Sequence, residues 1–306
     1  MTMKLDWMRG CATALVTPFK SDGTIDEERM RSLVDRQIKG GVQLLVPCGT
    51  TGESATMTEE EDGRVIAMTI DVARGRAKVI AGTGSNSTAS AIEYSKRARD
   101  MGTDALLQVA PWYNKPTQEG LYAHFRAIAE AVPETPIMLY NVPGRTSSNI
   151  AAQTTLRLAR DCENIVAVKE ASGNLSQIME ILRERPANFS VLSGDDAVTL
   201  PLIALGADGI VSVASNEVPD LMSQMTNLAL EGKWDDARHL HYRLLPLMEV
   251  NFIESSPGPV KAAMAMMALL EENFRLPLVP IQEKSRVRIR EVLAELGVLE
   301  SAHASA

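Results

Sequence analysis

Ile165 to Val168 read as a buried strand, and Lys169 follows at once, so a strongly hydrated ammonium is carried to the end of an apolar run. An amine placed there needs a counter-charge or a task, because an unpaired ammonium taken out of water is costly and burial favours the neutral form. In water only about one lysine in a thousand is neutral at pH 7, and a lysine freed of its proton is a nucleophile. Such an amine forms an imine with a 2-oxo acid. The protonated imine draws electrons from the adjacent carbon, which loses a proton and becomes a carbon nucleophile. The alternative for Lys169 is a structural ion pair with Glu170 or Asp196.

Two other stretches bring matching groups. GTTGESATM, Gly49 to Met57, supplies glycines that let backbone N–H groups approach an anion, and hydroxyls on Thr50 and Thr51 that both donate and accept. YNVPGRTS puts the phenol of Tyr140 at a strand end and the guanidinium of Arg145 just past a Pro-Gly turn, suited to a bidentate grip on a carboxylate. An ordinary βα loop and a surface turn behind a core tyrosine would explain the same residues. Tyr113 closes another apolar run.

Other signals lead elsewhere or nowhere. GTGSNS, Gly82 to Ser87, lacks the third glycine of a dinucleotide fingerprint and reads as a βα turn. His239 and His241 stand two apart and point to different faces of a helix, and Cys11, Cys48 and Cys162 form no CxxC, so a metal site is disfavoured and a reducing cytoplasm is expected. Asp195 and Asp196 read as a loop ion pair or helix cap. The net charge of −8, with no basic block, argues against nucleic acid as a partner. The start, MTMKLDWMRG, has no hydrophobic signal region, no apolar run reaches membrane-spanning length, and SAHASA reads as a frayed end.

The elements that must position these residues follow from period and punctuation. Eight short apolar runs begin near Ala12, Val42, Lys78, Asp104, Pro136, Ile165, Phe189 and Gly209, with amphipathic segments between them. In the first such segment Thr24 and Glu27 form a capping-box pattern, and Gly40 and Gly41 end the helix. Alternating buried strands and helices imply parallel pairing, and eight of them select a closed (β/α)8 TIM barrel over a doubly wound sheet. Its active site lies at the carboxyl ends of the strands. Strand alternation gives Lys169 the facing of Ala167 and Ile165, inside the barrel. Beyond about residue 230 the strands stop. Residues 1–230 read as the barrel with its site, and 231–306 as a C-terminal helical appendage whose Met and Leu stripes are core.

Taken together, TALVTPF, GTTGESATM, APWYNKPTQEGLYAHF, YNVPGRT, VKEASGN, LSGDD, GIVSV and PVKAAM resemble the superfamily of lysine-dependent aldolases that holds dihydrodipicolinate synthase and N-acetylneuraminate lyase, over nearly the whole chain. The arginine of YNVPGRT and the Thr50-Thr51 pair resemble the 4-hydroxy-tetrahydrodipicolinate synthase branch. The resemblance implies that Lys169 forms the pyruvate Schiff base and that Tyr140 shuttles protons, linked through Thr50 to a Tyr113 that reaches in from a neighbouring subunit. It implies that Thr51 holds the pyruvate carboxylate and Arg145 that of L-aspartate 4-semialdehyde, and that Gly194 and Val211 line the pocket. A cytoplasmic homotetramer is implied, with no metal or cofactor beyond the covalent imine and no membrane partner. An aldolase or lyase of 2-keto-3-deoxy sugar acids is the nearest alternative, and a non-catalytic 2-oxo-acid binder that kept the fold is a third. At the family's lysine-feedback site Ser54, Ala55 and Asn86 match, but Glu59, Asp62 and Ser90 replace the usual residues, as Trp112 does a tyrosine, so feedback by lysine is expected to be weak or absent. Ser256 replaces the family's asparagine in the segment before PVKAAM.

Overall fold

The computed structural model describes residues 5–299. The end segment SAHASA lies outside the described residues. Eight parallel strands close into a ring in chain order: β1 (Gly10–Ala14), β2 (Leu44–Val46), β3 (Lys78–Gly82), β4 (Ala105–Val109), β5 (Ile137–Asn141), β6 (Ile165–Glu170), β7 (Ser190–Ser193) and β8 (Gly209–Ser212). β8 pairs with β1, which leaves the sheet no edge. The (β/α)8 barrel expected from the alternation of runs is the fold. Its strands are shorter than the apolar runs, whose carboxyl-terminal residues turn into the loops of the upper face.

Two apolar layers result. Side chains inside the ring include Ala12, Leu44, Ile80, Leu107, Met138, Leu192 and Val211, all buried together. A larger shell between strands and helices gathers Leu45, Val79, Leu106, Leu139, Val168 and Val191 with the apolar faces of the helices. The alternation of in and out along each strand is the pleat expressed in sequence.

The first helix, Glu27–Lys39, begins differently from the expected capping box. Asp26 is its cap, accepting from the Arg29 N–H at 3.1 Å, while Thr24 is engaged by Asp22 through both its N–H and its hydroxyl. A tight turn around Asp22 takes the threonine out of capping range. Gly40 caps the other end and Gly41 turns at φ +82°.

Among the described residues three helices follow the barrel: Trp234–Val250, Gly258–Met266 and Glu283–Leu296. The first buries Leu240, Leu244, Leu247 and Met248, so its stripe is core. Among the described residues no helix is long and apolar enough to cross a membrane.

The closest backbone approach that concerns the site is at Gly82, the last residue of β3. A Cβ there would stand 2.1 Å from the carbonyl oxygen of Cys48, at the start of the GTTGESATM loop. Gly82→Ala is expected to lower the unfolding free energy by about 3 kcal/mol or more, because rigid backbone faces the new methyl. Urea unfolding of the two proteins measures it, and a loss below about 1 kcal/mol would show that the loop yields.

Candidate active site

Lys169 is one residue from the end of β6, only 5% exposed, with its Nζ 4.2 Å from the centre of the Tyr140 ring. Strand pairing puts the two side by side, since Tyr140 on β5 is in register with Lys169 on β6. Ala167 shares the interior facing of Lys169, but Ile165 does not. The pairing of β5 with β6 skips Val166, and this bulge turns Val166 inward and Ile165 outward.

Neither carboxylate considered as a partner reaches the amine. Glu170 and Asn141 are the next register pair and share the opposite facing. There Asn141 Nδ2 donates to Glu170 Oε1 at 2.5 Å and Ser172 donates to Oε2 at 2.9 Å. Asp196 accepts from the backbone N–H groups of Val213 and Ala214 and so ties the loop after β7 to that after β8. Asp195 caps its own turn through the Ala197 N–H. Among the described residues Lys169 has no ion pair. A buried amine beside a phenol, with no counter-charge, has the composition of a nucleophile rather than of a structural pair.

The other expected residues lie on or just after the carboxyl ends of strands. Gly194 follows β7, where a Cβ would stand 2.7 Å from Ala171 Cβ and 3.1 Å from Lys169 Cε, so the glycine makes room for the lysine stem. Val211 lies inside the ring on β8. Thr50 and Thr51 follow β2, which stands across the ring from β6. Thr51 is buried and Thr50 exposed. Arg145 is exposed on the short helix Pro143–Thr146 and, among the described residues, has no side-chain partner. Tyr113 is not brought into the site of its own chain: it is 89% exposed, at a left-handed φ of +74°. Beside it Asn86 donates to the Trp112 carbonyl and Asn114 to the Asn86 carbonyl. Among the described residues Thr50 Oγ1 makes no hydrogen bond, so a Tyr140–Thr50–Tyr113 relay is not closed within one chain.

Residues 7–296 match the model of the dihydrodipicolinate synthetase family. The chain belongs to that family. It is 54% identical to the 4-hydroxy-tetrahydrodipicolinate synthase of Koribacter versatilis over 96% of this chain and 98% of that one. The corresponding enzyme of Chlorobium phaeobacteroides is 49% identical over 97% and 100%. Among solved structures, dihydrodipicolinate synthase from Aquifex aeolicus superposes with a TM-score of 0.93 at 45% identity, covering 95% of this chain and 99% of that one. The Acinetobacter baumannii enzyme, solved in complex with pyruvate, gives 0.93 at 43%, covering 95% and 100%.

Within this member of the family, Glu59 pairs with Arg97, and Asp62 accepts from the Ser54 hydroxyl at 2.8 Å, around a cavity of about 50 Å³ that Thr83 and Tyr94 also line. Burial lifts the Asp62 carboxyl to about 6. One pair escaped sequence reasoning altogether: Glu53, within GTTGESATM, and Lys261, within PVKAAM, form an ion pair with neither side chain in contact with solvent. The signal was available, because Lys261 interrupts an apolar run just as Lys169 ends one.

Burial lifts the Glu170 carboxyl to about 7, against the opposing effect of the Asn141 and Ser172 hydrogen bonds. A carboxyl whose pKa is raised by folding binds more protons in the folded state. The stability linked to it is therefore complete below about pH 4.5 and lost as pH rises through about 7. Glu170→Gln, which keeps the shape and the acceptor for Asn141, is expected to remove on the order of 2 kcal/mol of that fall. Urea midpoints of both proteins from pH 4 to 8 measure the difference, and parallel profiles would contradict the assignment.

Proposed function

We infer that the protein is a 4-hydroxy-tetrahydrodipicolinate synthase that condenses pyruvate with L-aspartate 4-semialdehyde through an imine on Lys169. The observation that carries this reading is the unpaired, buried Lys169 amine beside the Tyr140 ring, in a chain about half identical to enzymes of that name. The amine attacks the ketone carbon of pyruvate and water leaves. The protonated imine withdraws electrons, the methyl carbon gives up a proton, and the resulting carbon nucleophile attacks the aldehyde. The amino group of the semialdehyde then displaces Lys169 from the imine carbon, which closes the ring and returns the amine. The electron sink is the imine itself, so the chemistry asks for no cofactor or metal.

Tyr140 is assigned to move protons at the imine carbon, and its register with Lys169 supports this. Thr51 is assigned to the pyruvate carboxylate and Thr50 to the alignment of Tyr140. Arg145 is assigned to the carboxylate of the semialdehyde, with Gly194 and Val211 as pocket walls. Tyr113 is assigned to a neighbouring copy's site, which favours a homotetramer: among the described residues its phenol makes no hydrogen bond, yet its backbone holds a conformation unusual for a bulky residue. The reading places the enzyme in the cytoplasm, and the replacements at Glu59, Asp62 and Ser90 favour weak feedback by lysine.

Lys169→Ala is expected to fold and to lose activity by about a thousandfold or more. With borohydride and pyruvate the parent gains a reduced three-carbon adduct on Lys169 and the variant gains none. Product formation from pyruvate and a panel of aldehydes separates the synthase from a sugar-acid aldolase and from a binder. Full activity of a well-folded Lys169→Ala protein, or turnover of sugar aldehydes alone, would overturn the reading.

Arg145→Ala is expected to lower kcat/KM for the semialdehyde by about tenfold to a hundredfold, as loss of a charge-assisted bond to a carboxylate does, while leaving adduct formation with pyruvate intact. Steady-state kinetics with each substrate varied checks the split.

A further inference from the structure

We propose that Glu53 and Lys261 are positioning residues for pyruvate: their buried ion pair sets the turn that presents Thr51 to the substrate carboxylate. The inference deepens the functional reading above and rests on it.

The loop after β2 is held between two left-handed residues that are not glycine, Cys48 at φ +58° and Glu53 at φ +57°. Thr51 lies between them. Two backbone bonds wind the segment, from the Gly52 N–H to the Gly49 carbonyl and from the Glu53 N–H to the Thr50 carbonyl, both 3.1 Å, and the Thr17 hydroxyl fixes the Gly52 carbonyl at 2.7 Å. Left-handed backbone at a residue with a side chain persists only where the surroundings over-determine it. At Glu53 the surroundings come from the far end of the chain. Lys261, on the helix Gly258–Met266, donates from Nζ to Glu53 Oε1 at 2.6 Å and to the Asn273 carbonyl at 2.6 Å. The same ammonium lies over the rings of Phe19 and Phe274, 4.6 and 4.8 Å from their centres. Asn273 reaches back to the Phe19 carbonyl, and Arg275 binds the carbonyls of Gly23 and Thr56 and the carboxylate of Glu61. The loop carrying Thr51 is thus fixed by the helical region that follows the barrel.

An ion pair with both members out of water is a poor means of gaining stability, since apolar residues of the same volume serve as well or better. What it supplies is a fixed geometry: a carboxylate with one strong partner holds the backbone that bears it. The Glu53 side chain reaches away from solvent while its backbone closes the turn on Thr50, two bonds of different kinds that hold the turn bearing Thr51.

The combined substitution Glu53→Gln with Lys261→Met removes both charges and keeps their volumes. It is expected to unfold cooperatively like the parent, while the pyruvate concentration that gives half-maximal borohydride adduct on Lys169 rises about tenfold or more. KM for the semialdehyde at saturating pyruvate is expected to change by less than about twofold. Glu53→Asp, which keeps the charge and shortens its reach by one methylene, is the second arm should the double variant not fold, with the same expected rise for pyruvate. An unchanged half-saturation in a folded variant overturns the inference, and so does an equal loss toward both substrates, which marks a general loosening. A parent protein that gains no adduct at all removes the functional reading and this inference with it, a result distinct from failure of the variants alone.

Discussion

The structure turns on one amine that is buried without a counter-charge among the described residues. The comparison lies within the same molecule. Lys261 and Lys169 are both removed from solvent, and Lys261 meets a carboxylate at 2.6 Å whereas Lys169 meets the face of Tyr140. Burial of an ammonium is tolerated when a hydrogen-bonded anion answers it, and the first lysine has that answer. The second has the ring of a phenol. On the proposed reading such a group captures a carbonyl, and the closed ring of strands around it has no edge at which water or another chain could pair.

Register does the positioning. One pair, Tyr140 with Lys169, faces the inside of the ring, and the next, Asn141 with Glu170, faces out. The acidic neighbour in sequence is therefore the wrong neighbour in space, and its carboxyl is occupied by Asn141 and Ser172 rather than by the amine. Gly194, contributed by the adjacent β7, completes the arrangement by leaving the stem of the lysine its volume.

How much of this was legible follows from which facts are local. A lysine closing an apolar run, eight runs punctuated by turns and a glycine after a helix are local, and each led to the element found. The facing of Ile165 was not, because the bulge that reverses it is a property of the pairing between β5 and β6 and leaves no mark in the sequence of either. Thr24 and Glu27 made a valid cap pattern, and Asp22 withdrew the threonine from it. The Glu53–Lys261 pair joins residues 208 positions apart, so although Lys261 interrupts an apolar run, nothing near it in the sequence points to its partner. Tyr113 read as a site residue reaching in from a neighbouring subunit, and in its own chain it is exposed.

Depth in the site orders the chemistry. Lys169 and Thr51 are buried, whereas Arg145 stands exposed on the short helix after β5. On the proposed reading the 2-oxo acid is bound covalently at Lys169 first. The carbon nucleophile exists only after that capture, so an aldehyde arriving first at Arg145 would face an unreacted amine. The fixed loop at Thr51 and the free guanidinium of Arg145 match these two tasks. On that reading the first substrate must be held in one pose for its methyl to lose a proton, and the second meets a guanidinium that has no side-chain partner among the described residues.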